Sequence, residues 1–110
     1  MRSCALKKKK KNQLSGSVLL TQLQTNLKYL YLSSNHFSGY LDLTRLPPHI
    51  SCLEFNNNSF SGTVDLSQLP QGLEDLNLSD NELSGVALIS DKLFDSVHAK
   101  NTKMSKRRAE

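Results

Sequence analysis

The sequence predicts a short solenoid of the α/β type, a right-handed coil in which a parallel sheet lines the concave side. Two observations carry this prediction. Similar residues recur every 23 positions through the middle of the chain, which is the mark of a repeat architecture. Each repeat also holds two apolar residues separated by one position, such as Leu30 and Leu32, and this alternation is typical of a short strand with one buried face.

Six positions of the repeat recur in three copies. They are an asparagine (Asn35, Asn58, Asn81), a glycine (Gly39, Gly62, Gly85) and four apolar positions (Leu27, Ile50, Leu73; Leu30, Leu53, Leu76; Leu32, Phe55, Leu78; Phe37, Phe60, Leu83). Strands one repeat apart run in the same direction, so they pair in parallel and need a long crossover on the far side. The first two crossovers contain Leu-Pro, which cannot continue a regular helix. The convex side is therefore predicted to be mostly extended or 3₁₀.

This repeat resembles the leucine-rich-repeat family, whose signature is LxxLxLxxNxL in a unit of about 20–29 residues. The unit over residues 27–49 reads LKYLYLSSNHFSGYLDLTRLPPH. The variant NxFSGxLDLxxLPxxL is similar to leucine-rich-repeat proteins of kinetoplastid protists. The resemblance covers roughly residues 12–89, and it implies a binding role without naming a partner.

The chain is predicted to divide at the points where the repeat fails. Moving back one repeat from residue 30 or 32 gives Lys7 or Lys9, which cannot fill a core position, so the first repeat is only a half. After Ile89 the apolar residues recur at helical spacing, which predicts a C-terminal helix that covers the last coil. The predicted segments are a basic N-terminal segment (1–11), a repeat domain (12–89, with a half repeat 12–26 and repeats 27–49, 50–72 and 73–89), a capping helix (90–99) and a basic disordered tail (100–110).

Charge is strongly partitioned along the chain. Residues 1–11 carry six cations and no acid, residues 12–95 carry three cations and nine acids, and residues 96–110 carry five cations and one acid. No apolar run approaches the ~20 residues that a membrane span needs, and the stretch after the first cations is too polar for a signal peptide. An intracellular location is therefore favoured. The two cysteines, Cys4 and Cys52, cannot form a disulfide framework.

Side chains that alternate with the core leucines are predicted to face outward on the concave sheet. In this position solenoids bind partners, and exposed tyrosines make good contact residues. The candidate contact residues are Tyr29, Tyr31, Ser33, Glu54, Asn56, Asp75 and Asn77, and Cys52 is expected to be exposed beside them. Asn35, Asn58 and Asn81 are instead predicted to be structural, because an amide can pair with backbone groups that the sharp turn leaves unbonded.

No motif for a nucleophile, a phosphate loop or a metal centre is present, so we expect neither catalysis nor a cofactor nor a metal. The leading hypothesis is a non-catalytic protein-binding module that recognises a protein partner through the concave face. One alternative is an electrostatic tether, in which the basic ends bind nucleic acid or another anionic surface. The other is a fragment of a longer repeat protein without an independent function.

Overall fold

The computed structural model describes residues 15–16 and 26–109, and every strand there belongs to one of two parallel sheets. In chain order the strands are β1 (Ser15–Gly16), β2 (Tyr29–Tyr31), β3 (His36–Gly39), β4 (Cys52–Glu54), β5 (Ser59–Gly62), β6 (Asp75–Asn77), β7 (Glu82–Ile89), β8 (Val97–His98) and β9 (Lys103–Arg108). A 3₁₀ helix, Asp91–Ser96, lies between β7 and β8. These residues contain no α-helix. The described architecture is therefore a parallel β-solenoid, and the α-helices that the predicted α/β type would include are absent from this part of the chain.

The chain passes once through each sheet in every turn. The first sheet has the order β2-β4-β6-β8, and the second sheet has the order β1-β3-β5-β7-β9. We call the four complete turns coils 1 to 4; they span residues 27–49, 50–72, 73–93 and 94–109. In the first sheet Leu30 pairs with Leu53 and Leu53 with Leu76, which is the predicted register of 23 residues. The predicted parallel solenoid is thus confirmed for coils 1 to 3.

The core lies between the two sheets and is filled by the recurring apolar positions. Leu53, Leu76 and Val97 are fully buried on the inner side of the first sheet. Facing them, the rings of Phe37 and Phe60 stack with centroids 6.2 Å apart. Each coil contributes the same layer of side chains, so burial in one coil depends on the coil beside it.

Buried asparagines join the coils to one another. The Nδ2 group of Asn58 donates to the carbonyl oxygen of Leu32 (2.9 Å), and its Oδ1 accepts from the backbone N–H of Phe37 (3.1 Å). Asn81 repeats this pattern toward coil 2, with the oxygen of Phe55 (3.0 Å) and the N–H of Phe60 (3.0 Å). These amides satisfy backbone groups that the turn between the sheets would otherwise leave unpaired.

The crossovers after β3 and β5 turn at an aspartate. Asp42 accepts hydrogen bonds from the N–H (3.0 Å) and hydroxyl (2.5 Å) of Thr44, and Asp65 accepts them from Ser67 in the same way (2.9 and 2.6 Å). These bonds hold the pKa of both carboxyls below its usual range. The bond from the hydroxyl makes the largest contribution to this shift, and the bond from the backbone N–H makes the next largest. In coil 3 the same position is Leu88, and there the strand continues to Ile89.

The C-terminal part differs from the sequence prediction. Residues 90–99, predicted as an amphipathic capping helix, form the six-residue 3₁₀ helix followed by β8. The tail predicted to be disordered over residues 100–110 contains β9, which pairs with β7 over six residues. Apolar residues at helical spacing therefore serve here as the core positions of a fourth coil.

Coil 4 could not be found by searching for residues that recur every 23 positions, because its repeat is shorter than that of the other coils. Val97 pairs with Leu76, a separation of 21 residues instead of 23. At the same spacing Asn101 (φ 57°) takes the left-handed turn position that Asp80 (φ 58°) holds in coil 3. Thr102 stands where the structural asparagine would be, and its hydroxyl donates to the oxygen of Ala99 (2.8 Å).

Candidate functional site

The outward side chains of the first sheet form two rows across the coils. The strand register brings Tyr29, Cys52 and Asp75 into one row, and Tyr31, Glu54 and Asn77 into the next. In the same sheet Asn77 pairs with His98 of β8, which extends the second row by one residue. Side chains alternate between the two faces of a strand, so these rows stand opposite to the buried leucines.

Two tyrosines form the N-terminal part of this surface. The rings of Tyr29 and Tyr31 stack with centroids 6.4 Å apart and an angle of 5° between their planes. Both side chains are half-buried. Burial raises the pKa of the Tyr31 phenol, and the negative charge of Glu54 raises it further, so the phenol stays protonated at neutral pH. The pair thus offers a rigid aromatic surface with hydroxyl groups that can donate and accept hydrogen bonds.

A contact between a histidine and an aspartate lies at the other end of the surface. His98 Nε2 is 3.1 Å from the carboxylate oxygen of Asp75. Asn77, between this pair and the tyrosines, uses its Oδ1 to accept the N–H of Ser79 (3.0 Å). His98 was not predicted to belong to this row, because residues 90–99 were predicted to form a helix. Only the 21-residue spacing of coil 4 brings this histidine into the row.

Three residues that were expected to be exposed are buried. Ser33 and Glu54 are each 3% exposed, and Cys52 is fully buried. Period-two alternation assigned these side chains correctly to the outward face, but it carries no information on what packs over that face. The partly exposed members of the predicted set are Tyr29, Tyr31, Asn56, Asp75 and Asn77.

Asn56 lies in the next row of the same face. Its side-chain oxygen is buried and accepts no hydrogen bond within the described residues. Buried polar atoms of this kind are uncommon in native proteins. The residue as a whole is partly exposed, so Asn56 remains part of the candidate surface beside the tyrosine pair.

The basic residues at the C-terminus are only partly free. Lys106 Nζ donates to the carbonyl oxygens of Val97 (2.7 Å) and Phe94 (3.1 Å). Arg108 pairs with Asp91, and its guanidinium lies 4.2 Å from the centre of the Phe94 ring. Lys100, Lys103 and Arg107 are exposed. The N-terminal lysine run, 7–11, falls outside the described residues.

Within residues 26–109 no group of three His, Cys, Asp or Glu side chains could hold a metal ion. None of the helices in the described part is long and apolar enough to cross a membrane. Asn35, the third predicted structural asparagine, is buried and donates to the carbonyl oxygens of Leu32 (3.0 Å) and Ser33 (3.2 Å).

Residues 26–53 match the protein-family model described as Leucine Rich Repeat. The match covers β2, its buried asparagine, the crossover of coil 1 and the start of β4. It confirms the family resemblance, whereas the similarity to kinetoplastid proteins stays a prediction. No curated protein and no solved structure matches the chain.

Proposed function

We propose that this chain, whose residues 26–53 match the Leucine Rich Repeat model, works as a non-catalytic interaction module that binds a protein partner. The contact surface in this proposal is the outward face of the first sheet, which is the predicted concave face. The observation that carries it is the stacked pair Tyr29 and Tyr31, held on a strand and still partly exposed. Rigid aromatic side chains offer contact area at a small cost in conformational entropy.

The chemistry around the tyrosines favours a polar or basic segment of the partner. Asp75 and Asp80 add negative charge, and Asn56 and Asn77 add amide groups. His98 and Lys100 are confined to coil 4. A partner side chain of lysine or arginine placed over Asp75 would find a carboxylate that is about a quarter exposed (24%) and only one histidine to compete for it. Such charges fix orientation and partner choice more than they add affinity.

The electrostatic tether is the weaker proposal. Of the five cations after residue 99, Lys106 and Arg108 are bound to Val97, Phe94 and Asp91 of the same chain. The other three, Lys100, Lys103 and Arg107, are exposed and form no ion pair with another described residue, and no aromatic side chain alternates with them to stack on bases. The third alternative, a fragment without an independent function, stays a prediction.

The first experiment identifies a partner by capture on the full chain and then measures its dissociation constant in solution. We expect the double change Tyr29→Ala and Tyr31→Ala to weaken binding by a factor of 100 or more, because truncated hot-spot aromatics cost about 2 kcal/mol each. Tyr40→Ala is the matched control. Tyr40 is 76% exposed but follows β3 of the second sheet, so its loss should leave the affinity unchanged.

The tether gives the opposite pattern. Changing the lysines at 7–11 together with Lys100, Lys103 and Arg107 to glutamine would then abolish binding, the affinity would fall steeply with salt, and the tyrosine changes would have no effect. Circular dichroism melting of each variant separates loss of binding from loss of the fold. If neither set of changes alters the affinity, both proposals are wrong.

A further inference from the structure

The second sheet presents a strip of exposed side chains that the proposed binding face does not use. Along each crossover exposed and buried residues alternate, so two residues per coil point away from the core. We call these residues the outer strip. Its members are Tyr40 and Asp42 in coil 1, Thr63 and Asp65 in coil 2, Val86 and Leu88 in coil 3, and Ser105 and Arg107 in coil 4.

The three large apolar side chains that are most exposed in the described residues all belong to this strip. Tyr40 is 76% exposed, Val86 is 57% exposed and Leu88 is 54% exposed. The tyrosine ring is held in place, because it lies over Gly62 of the next coil so closely that a Cβ atom there would be 2.3 Å from it. The glycine also has a positive φ of 81°, which a side chain would disfavour. The ring therefore lies against the backbone of coil 2 and is still largely exposed.

Coil 3 departs from the repeat at the point where the strip becomes apolar. Asp42 and Asp65 each bond to the hydroxyl two residues later. Leu88 cannot do so, and the equivalent hydroxyl of Ser90 is buried without a hydrogen-bond partner among the described residues. Among the described residues, coil 3 thus has an exposed leucine in place of the aspartate and a serine hydroxyl without its hydrogen-bond acceptor.

The charges of the strip differ between its two ends. Asp42 and Asp65 give coils 1 and 2 negative charge. Arg107 gives coil 4 positive charge, and it stands beside Leu88, its Cα partner in the ladder between β7 and β9. No ion pair engages Arg107 within the part of the chain that the structure describes. The strip is therefore acidic at one end, apolar toward the middle and basic at the other end.

We propose that the outer strip binds the outer strip of a second copy of this chain, so that the protein forms a two-fold symmetric dimer. A two-fold axis parallel to the strands reverses the order of the coils. Coil 1 of one copy then faces coil 4 of the other, and Asp42 faces Arg107 twice. Val86 and Leu88 of coil 3 lie over Thr63 and Asp65 of the facing coil 2, near the axis. Such an interface is self-complementary and closes after two copies.

The charge pattern of the outer strip favours a second copy of the chain as its binding partner. A partner of uniform charge would be repelled at one end of the strip, whereas an identical strip turned through the axis meets opposite charge at both ends. The groove between Thr63, Asp65, Ser67, Val86 and Leu88 has a volume of about 380 Å³ and lies at the centre of the strip, where the apolar side chains of the second copy would enter it.

Sedimentation velocity of the full chain at increasing concentration tests the proposal. We expect a monomer–dimer equilibrium in the micromolar range. Leu88→Asp, which restores the aspartate of the other coils and gives Ser90 a partner, should raise the dimer dissociation constant roughly tenfold or more without lowering the melting temperature. A monomer at all concentrations, or an open series of larger assemblies, would overturn the proposal.

Charge reversal sharpens the test. Arg107→Asp and Asp42→Arg should each weaken the dimer. The two changes together should restore it, because residues 42 and 107 of facing copies then form ion pairs again with their charges exchanged. If the double variant is no tighter than the single variants, the facing arrangement is wrong. The double change Tyr29→Ala and Tyr31→Ala should leave the dimer unchanged, so this result is independent of the proposed binding face.

Discussion

The junction between coils 2 and 3 and the junction between coils 3 and 4 join similar turns by different means. At the first, Asn81 reaches back to coil 2 with both side-chain atoms, at 3.0 Å each from the oxygen of Phe55 and the N–H of Phe60. At the second, the hydroxyl of Thr102 bonds to the oxygen of Ala99 (2.8 Å) and the N–H of Met104 (3.2 Å), both in its own coil. Threonine is too short to reach the neighbouring coil, so its hydrogen bonds stay within coil 4, whereas those of the asparagine join two coils.

The last junction is stabilised by other contacts instead. β7 and β9 pair over six residues, more than any other two strands in the described part of the chain. Two further hydrogen bonds cross this junction: the Asn101 amide donates to the carboxylate of Asp80 (2.7 Å), and the N–H of Lys100 donates to the hydroxyl of Ser79 (3.0 Å). In this solenoid, the longer strand pairing in the second sheet accompanies a repeat that is two residues shorter and has no structural asparagine. This comparison predicts which substitutions should be costly at each junction.

The largest effect is expected from Asn58→Leu. Leucine has nearly the same size, but it leaves the N–H of Phe37 without a partner in a buried turn, and it leaves the oxygen of Leu32 with Asn35 as its one side-chain donor among the described residues. We expect the free energy of unfolding to fall by roughly 3 kcal/mol, measured by urea denaturation. Ser59→Ala, at the exposed neighbouring position, is the control and should change it by less than ~0.5 kcal/mol. Equal effects of the two substitutions would mean that the asparagine does not join the coils.

Smaller effects of opposite sign are expected at residue 102. Thr102→Val removes the hydroxyl and should lower the free energy of unfolding by about 1 kcal/mol. Thr102→Asn should raise it by about 1 kcal/mol, since the amide can reach Leu78 and Leu83 as Asn81 reaches Phe55 and Phe60. If the asparagine variant is less stable than the wild type, the shorter coil has a turn geometry that excludes the bridge.

Much of the fold could be predicted from the sequence, because the repeat ties position to role. Once Asn35, Asn58 and Asn81 had fixed the register, the strand pairs followed, and the structure pairs Leu30 with Leu53 and Leu53 with Leu76 as expected. Coil 4 could not be found in this way. It has a different spacing, threonine for asparagine at residue 102 and alanine for leucine at residue 99.

The sequence predicted on which face of the strands the candidate site residues lie, but it did not predict how exposed they are. Alternation in a strand assigns Cys52 and Glu54 to the outward face, and the register puts them beside Tyr29 and Tyr31 as expected. Both are nevertheless buried, because burial depends on what packs over a face, and a strand pattern contains no such information. The outer strip was not predicted, since single exposed apolar residues in a crossover carry no periodic signal.

Hydrogen exchange compares the two junctions directly. The amide of Phe55 donates to the oxygen of Asn77 (2.9 Å), and at the next junction the amide of Leu78 donates to the oxygen of His98 (2.7 Å). We expect Leu78 to exchange about fivefold faster, as ~1 kcal/mol of weaker coupling implies. The Thr102→Asn variant should reduce the difference. Equal protection in the wild type would mean that the second sheet compensates fully for the missing amide.

The smallest effect concerns the phenol of Tyr31. Its pKa lies above the usual value, owing first to burial and then to Glu54. The unfolded chain therefore ionises first as the pH rises through about 10, and the free energy of unfolding declines until the folded pKa is passed. Glu54→Gln should bring the Tyr31 pKa closer to normal, measured by ultraviolet titration. An unchanged titration would contradict the proximity of the carboxylate to the ring.

Radical footprinting of the tyrosines tests the proposed binding face most directly. Hydroxyl radicals oxidise exposed tyrosine side chains, and mass spectrometry reads each position with and without the captured partner. We expect the partner to reduce the oxidation of Tyr29 and Tyr31 several-fold. Tyr40, on the other sheet, should be oxidised equally in both samples. Protection of Tyr40 by the partner, with Tyr29 and Tyr31 unchanged, would contradict the assignment of the first sheet as the binding face.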